Sequence, residues 1–148
     1  MHYINPQGLT EETTLDALLA KSHYTILYFY PKDNTPGCTI EAKDFSRYVG
    51  DFKKCDTQII GVSKDSGRSH CGFQEKQGLT IGLIADIDTT LAQQFGAWGQ
   101  KKFMGREYMG VLRNTYLLDK KGAILYKREE VSAAGHAQEV LEYVRSVS

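Results

Sequence analysis

The chain has 148 residues, 41% of them hydrophobic, with eighteen lysines and arginines against eighteen aspartates and glutamates. That length and apolar share suit one folded domain over residues 1–148 and argue against disorder. The cancelled charge removes the electrostatic ground for a nucleic-acid or anionic-membrane partner, and no apolar run approaches the ~20 residues of a membrane helix.

The first residues, Met1-His2-Tyr3-Ile4-Asn5-Pro6, lack the basic flank and apolar stretch of a secretory signal, so a cytoplasmic location is expected. Thr13 to Lys21 reads as a short helix with Leu15, Leu18 and Leu19 on one side. Tyr24 to Tyr30 is a near-continuous apolar and aromatic run, as in a strand buried on both faces. Pro31 to Pro36 is a loop. From Gly37 to about Lys53, Ala42, Phe45, Val49 and Phe52 follow a helical period. Thr57 to Ser63 is a second strand, and a helix from about Ser66 to Gln77 stops at Gly78. Ile81 to Ala85 is a short strand. A helix capped by Asp88 or Thr89 runs to Phe95 and closes at Gly96. Gly99 to Gly110 reads as an irregular surface loop. Arg113 to Leu118 and Ala123 to Arg128 form a hairpin around Asp119-Lys120-Lys121-Gly122, and a last helix spans about Ala137 to Ser146. From the first strand onward the order is β-α-β-α-β-α-β-β-α. It predicts a mainly parallel central sheet with helices on both faces and antiparallel strands added by the hairpin.

In that arrangement the loop after each parallel strand lies at the carboxyl edge of the sheet, and Cys38 sits there, where a helix begins. The thiolate is the nucleophilic form of cysteine, and a helix N-terminus favours negative charge. The other cysteines are Cys55 and Cys71. An odd count without a C-x-x-C pair is neither a disulfide framework nor a dithiol redox motif.

The run Tyr30-Pro31-Lys32-Asp33-Asn34-Thr35-Pro36-Gly37-Cys38-Thr39 closely resembles the active-site segment of peroxiredoxins, most of all the bacterioferritin-comigratory or peroxiredoxin Q branch. The family pattern of Pro, three residues, Thr or Ser, two residues, Cys falls on Pro31, Thr35 and Cys38. Downstream, Phe95-Gly96-Ala97-Trp98-Gly99, Lys102-Phe103-Met104-Gly105 and Arg113 resemble the branch's Trp and Phe-Met loop and its active-site arginine. The resemblance covers roughly Ile26 to the C-terminus. It implies an α/β, thioredoxin-like three-layer sandwich with a mixed central sheet. The segment before Tyr24 is short for the family, which leaves its opening strands trimmed or absent.

The same resemblance implies a thiol peroxidase that uses no metal, haem or flavin. Cys38 would be the peroxidatic nucleophile, attacking a hydroperoxide to give a sulfenic acid. Thr35 would offer its hydroxyl, and the Gly37 and Cys38 N–H groups their free dipoles. Arg113 would bring a forked cation to the sulfur and the peroxide, and Pro31 would shield the site. Glu41 either pairs with an arginine across the site or is a favourable first-turn acid. Trp98, Phe103 and Met104 are expected beside the site, as core filling or as substrate contacts.

Many members of the branch carry a resolving cysteine five residues after the peroxidatic one, where this chain has Lys43. Others carry it in the helix after the second core strand. Cys71 falls in that helix, about one turn early, and is the candidate for resolving. A Cys38–Cys71 disulfide would require the first turn around Cys38 to unwind, and thioredoxin or a similar dithiol would then reduce it. Cys55 reads as structural and His70 as solvated. A zinc site from Cys38, Cys55, Cys71 and His70 lacks close paired ligands. The branch implies a monomer. Two rival readings stay open: a thioredoxin-fold disulfide reductase, disfavoured by the missing C-x-x-C, and a one-cysteine peroxidase or peroxide-sensing module.

Overall fold

The computed structural model describes residues 1–148. The chain opens with a hairpin of β1 (His2–Ile4) and β2 (Thr10–Glu12). Asn5 Oδ1 accepts the N–H groups of Gln7 and Leu9, and Gly8 turns the chain at a φ of 83°. The expectation of trimmed or absent opening strands is therefore corrected. Three-residue strands are too short to show an alternation. Next comes α1 (Leu15–Leu19), which Thr14 caps through its hydroxyl and which buries Leu18 and Leu19.

β3 (Tyr24–Phe29) supplies the centre. Ile26, Tyr28 and then Tyr30 enter one core cluster, while Leu27 and Phe29 enter the other. That is the two-residue period of a strand covered on both sides. The long helix expected after it is two helices, α2 (Pro36–Arg47) and α3 (Val49–Lys54), broken at Tyr48 with φ −98° and ψ 8°. Phe45 and Phe52 both reach the same core, so the apolar period runs unbroken across the kink. β4 (Thr57–Ser63) leads to α4 (Gly67–Gln77), which Ser66 caps and left-handed Gly78 ends. Then come β5 (Gly82–Ala85) and α5 (Thr90–Phe95), closed by Gly96.

The expected irregular loop at Gly99 to Gly110 is instead a separate antiparallel ribbon, β6 (Trp98–Phe103) and β7 (Arg106–Val111). Met104 and Gly105 both have positive φ at its tip, the requirement of a tight hairpin turn. Most of its residues are exposed on both faces, so no buried alternation marks it in the sequence. β8 (Thr115–Asp119), β9 (Ile124–Arg128) and α6 (His136–Val147) complete the chain.

The main sheet has the order β2-β1-β5-β4-β3-β8-β9. Only β3, β4 and β5 run parallel to one another; every other pairing is antiparallel, so the sheet is mixed rather than mainly parallel. α2, α3, α4 and α6 cover one face, and α1 and α5 the other, giving three layers. No helix is long and apolar enough to cross a membrane. One register fixes the site: Tyr28 in β3 pairs with Thr115 in antiparallel β8. The residues just before β8 therefore lie at the carboxyl edge of β3, where α2 begins.

Candidate active site

Pro36 decides where α2 starts. The residue before a proline is driven out of the helical region, and Thr35 is extended at φ −87° and ψ 154°. Pro36 is the first helical residue, which makes Cys38 the third. The first N–H to bond back is that of Thr39, to the Thr35 carbonyl at 2.9 Å. The Gly37 and Cys38 N–H groups thus belong to the unpaired first turn.

Cys38 is only 1% exposed and joins the core cluster that contains Tyr28, Tyr30, Ala42 and Phe45. Its sulfur meets one cation. Arg113 Nη2 donates to Cys38 Sγ at 3.3 Å, while Nη1 donates to Glu41 Oε1 at 2.7 Å. A Cβ on Gly37 would stand 3.3 Å from Nη2, so the bare glycine leaves the guanidinium its place over the helix start. Of the two roles open to Glu41, the structure shows the pairing with an arginine. Glu41 is fully buried and its Oε2 has no partner. Burial pushes its carboxyl up to about 7 against the opposing pull of Arg113.

The backbone of Arg113 is held from behind: its carbonyl accepts the Val131 N–H at 2.9 Å. The next residue, buried Asn114, accepts the Glu130 N–H at 2.8 Å through Oδ1 and donates to Tyr116 Oη at 3.1 Å. Lys101 in β6 donates to the Val111 carbonyl at 3.1 Å. Burial, and then the nearby Arg113 charge, hold its ammonium below the usual lysine range.

The structure brings Cys38, Arg113 and Glu41 into direct contact, with Thr35 and Pro31 in the adjoining loop. The Thr35 hydroxyl donates to the Lys32 carbonyl at 2.8 Å, which leaves its oxygen free to accept. Pro31 is half-buried. The expectation for the ribbon fails in part. Trp98 packs against the cluster on the opposite face of the sheet, and Phe103 and Met104 are 65% and 86% exposed. Cys71 is not brought to Cys38. It is half-buried and lines a surface hollow with Pro6, Gln7, Gly8, Gln74, Glu75 and Leu79. Cys55 follows α3 and packs against the core edge. His70 is fully buried rather than solvated; both ring nitrogens are engaged, by Asp33 and by the Ile84 carbonyl, which removes it from any zinc set. Asp33 and Asn114 were missed by sequence reasoning. Asp33 lies inside the motif run, yet apart from Tyr30 its partners, Asp65, Ser69 and His70, are more than 30 residues away.

Residues 4–127 match the AhpC/TSA family. Peroxiredoxin Bcp of Bacillus subtilis is 44% identical over 128 residues, 86% of this chain and 82% of that protein. Peroxiredoxin Bcp of Xanthomonas campestris is 39% identical over 135 residues, 91% of this chain and 83% of that protein. Among solved structures, the Xanthomonas campestris bacterioferritin comigratory protein, described for its alkyl peroxide reduction activity, superposes with a TM-score of 0.86. The identity is 37%, with 99% of this chain and 90% of that chain covered. At 21% identity, a mitochondrial 2-Cys peroxiredoxin of Plasmodium falciparum (TM-score 0.77, covering 99% of this chain and 87% of that one) shares the thioredoxin-like fold. With the family matched over most of its length and relatives near 40% identity across it, this chain belongs to the AhpC/TSA family, in its peroxiredoxin Bcp branch.

Proposed function

We propose that Cys38 is the peroxidatic residue of a thiol peroxidase that reduces hydrogen peroxide and organic hydroperoxides. The observation that carries this reading is the Arg113 guanidinium at 3.3 Å from Cys38 Sγ, with its other amino group anchored by Glu41. A fixed cation with a forked set of donors stands at the sulfur, where charge develops on the reacting atoms. The thiolate attacks the terminal peroxide oxygen. The S–O bond forms as the O–O bond breaks, and the departing oxygen takes a proton to leave as water or an alcohol. The Thr35 oxygen, its own proton committed to Lys32, is an acceptor for the peroxide O–H. Pro31 and the core around Cys38 exclude water from the sulfenic acid.

Recycling then goes through Cys71. Its thiol attacks the sulfenic sulfur, water leaves, and a dithiol of the thioredoxin kind reduces the disulfide by exchange. Cys38 is buried and Cys71 faces the Pro6–Gly8 hollow, so this step needs the first turn of α2 to unwind. The placement of Cys71 also favours a second reading, in which an external thiol resolves the sulfenic acid. The reading takes residues 1–148 as one domain that works as a monomer in the cytoplasm.

Replacing Cys38 with Ser is expected to abolish hydroperoxide consumption; turnover retained in that variant would end the proposal. Mass spectrometry of the oxidised parent separates the two recycling routes, since a Cys38–Cys71 linkage and a mixed disulfide with an added thiol differ in mass.

A further inference from the structure

The loop before Cys38 and the helix that carries Cys71 are tied together by buried polar side chains. Asp33, five residues before Cys38, is 5% exposed, and His70, next to Cys71, is fully buried. His70 Nε2 lies 2.8 Å from the Ile84 carbonyl oxygen, and Nδ1 lies 2.8 Å from Asp33 Oδ2. A carbonyl oxygen only accepts, so Nε2 carries a proton. Asp33 Oδ1 takes the Tyr30 hydroxyl at 2.7 Å and Oδ2 takes the Ser69 hydroxyl at 2.7 Å. Both Asp33 oxygens thus accept hydroxyl donors, and Oδ2 also shares a hydrogen bond with His70 Nδ1. Asp65 completes the cluster, accepting the Asp33 N–H at 2.9 Å and the Ser63 hydroxyl at 2.6 Å.

This cluster is the loop's anchorage. From residues 31–37, every side-chain hydrogen bond to α4 or to the turn before it runs through Asp33, whereas the Thr35 hydroxyl bonds inside the loop. Only four residues separate Asp33 from Cys38, and Asn34 among them already holds a left-handed φ of 61°. A loop fixed at Asp33 therefore fixes where α2 starts and where the sulfur points. On the other side, His70 is fully buried while its neighbour Cys71 faces the Pro6–Gly8 hollow.

We propose that the buried Asp33–His70 hydrogen bond is the latch of the peroxidatic loop: closed, it holds Cys38 against Arg113 for attack on peroxide; released, it frees the first turn of α2 to unwind. The proposal rests on the assignment of Cys38 above and makes Asp33 and His70 positioning residues. A buried pair suits this duty. Loss of one partner leaves a buried polar atom of the other without its hydrogen bond, so the closed form tolerates neither half alone.

The test uses the full chain with Cys55 and Cys71 both replaced by Ser, so that Cys71 plays no part. Hydrogen–deuterium exchange is followed at residues 31–40 and, as internal reference, at 57–63 in β4. Asp33→Asn and His70→Gln are each expected to raise exchange at 31–40 by roughly tenfold with β4 unchanged, and to slow Cys38 oxidation by peroxide. The double variant is expected to lose less than the two single losses combined, because the two side chains are each other's partners. Unchanged exchange at 31–40, or an equal rise in both segments, would overturn the latch. With Cys71 restored, the single variants are expected to oxidise more slowly but form the Cys38–Cys71 disulfide faster. A merely weakened fold would not give opposite shifts. A parent chain that forms no such disulfide would refute Cys71 as the resolving thiol and leave the exchange result to decide the latch.

Discussion

Arg113 divides its fork between two acceptors, the Cys38 sulfur and Glu41 Oε1. A lysine would keep the charge but present one point where two divergent donors are needed. Losing one charge-assisted hydrogen bond of this kind costs about 1.5–3 kcal/mol. Arg113→Lys is therefore expected to slow Cys38 oxidation by roughly 10- to 100-fold. Rapid-quench mass spectrometry of the Cys38 peptide reads that rate; a rate within twofold of the parent would show that the fork is not needed. At this scale the sequence was most legible where chemistry is written in consecutive residues. Pro36 after Thr35 sets the helix start, and so the place of Cys38, from local sterics alone. The Asp33–His70 contact spans 37 residues and two elements, and neither residue's neighbours carry any trace of it. A histidine between Ser69 and Cys71 on a helix reads as solvated until the helix's rotation about its axis is known.

Among the elements, β3 and β4 were legible because they are buried on both faces and long enough to show it. Their packing leaves one glycine no alternative. A Cβ on Gly61 in β4 would come within 2.9 Å of both Leu83 Cδ2 and Tyr28 Cζ, two side chains fixed in the core. Gly61→Ala is expected to destabilise by about 1–3 kcal/mol, a fall in Tm of several degrees. Gly50 in α3 has nothing within 4 Å of its Cβ position, and Gly50→Ala is expected to be neutral or to stabilise by up to about 1 kcal/mol. Thermal unfolding of the two variants side by side checks the contrast; equal Tm values would show that β4 can shift to make room. The elements that escaped sequence reading share a cause. β1 and β2 have three residues each, and the β6–β7 ribbon is exposed on both faces, so neither leaves a buried alternation. The break at Tyr48 escaped because Phe45 and Phe52 keep the apolar period across it.

For the molecule as a whole, two buried groups make stability depend on pH in opposite senses. Glu41 is pushed by burial from 4.5 up to about 7, so between those values only the unfolded chain ionises. Its contribution is present below pH 4.5 and is lost as pH rises through 7. Burial takes His136, 2.7 Å from the Thr115 hydroxyl, from 6.5 down to about 4. Its contribution is present above pH 6.5 and is lost as pH falls through 4. Each amounts to roughly 3 kcal/mol, and over their shared window they offset. Urea unfolding at pH 4.5 and 7 is expected to separate them. The stability of Glu41→Gln relative to the parent should rise by about 3 kcal/mol toward pH 7, and that of His136→Asn should fall by a similar amount. Differences that stay constant with pH would contradict both assignments.

The most direct test of the chemistry is intact and peptide mass spectrometry of the Cys55→Ser/Cys71→Ser chain after one equivalent of hydroperoxide. The expected result is one added oxygen on the peptide containing Cys38, lost when Cys38 is replaced and formed much more slowly in Arg113→Lys. An unmodified Cys38 peptide, or oxidation that proceeds as fast without the Arg113 fork, would contradict it.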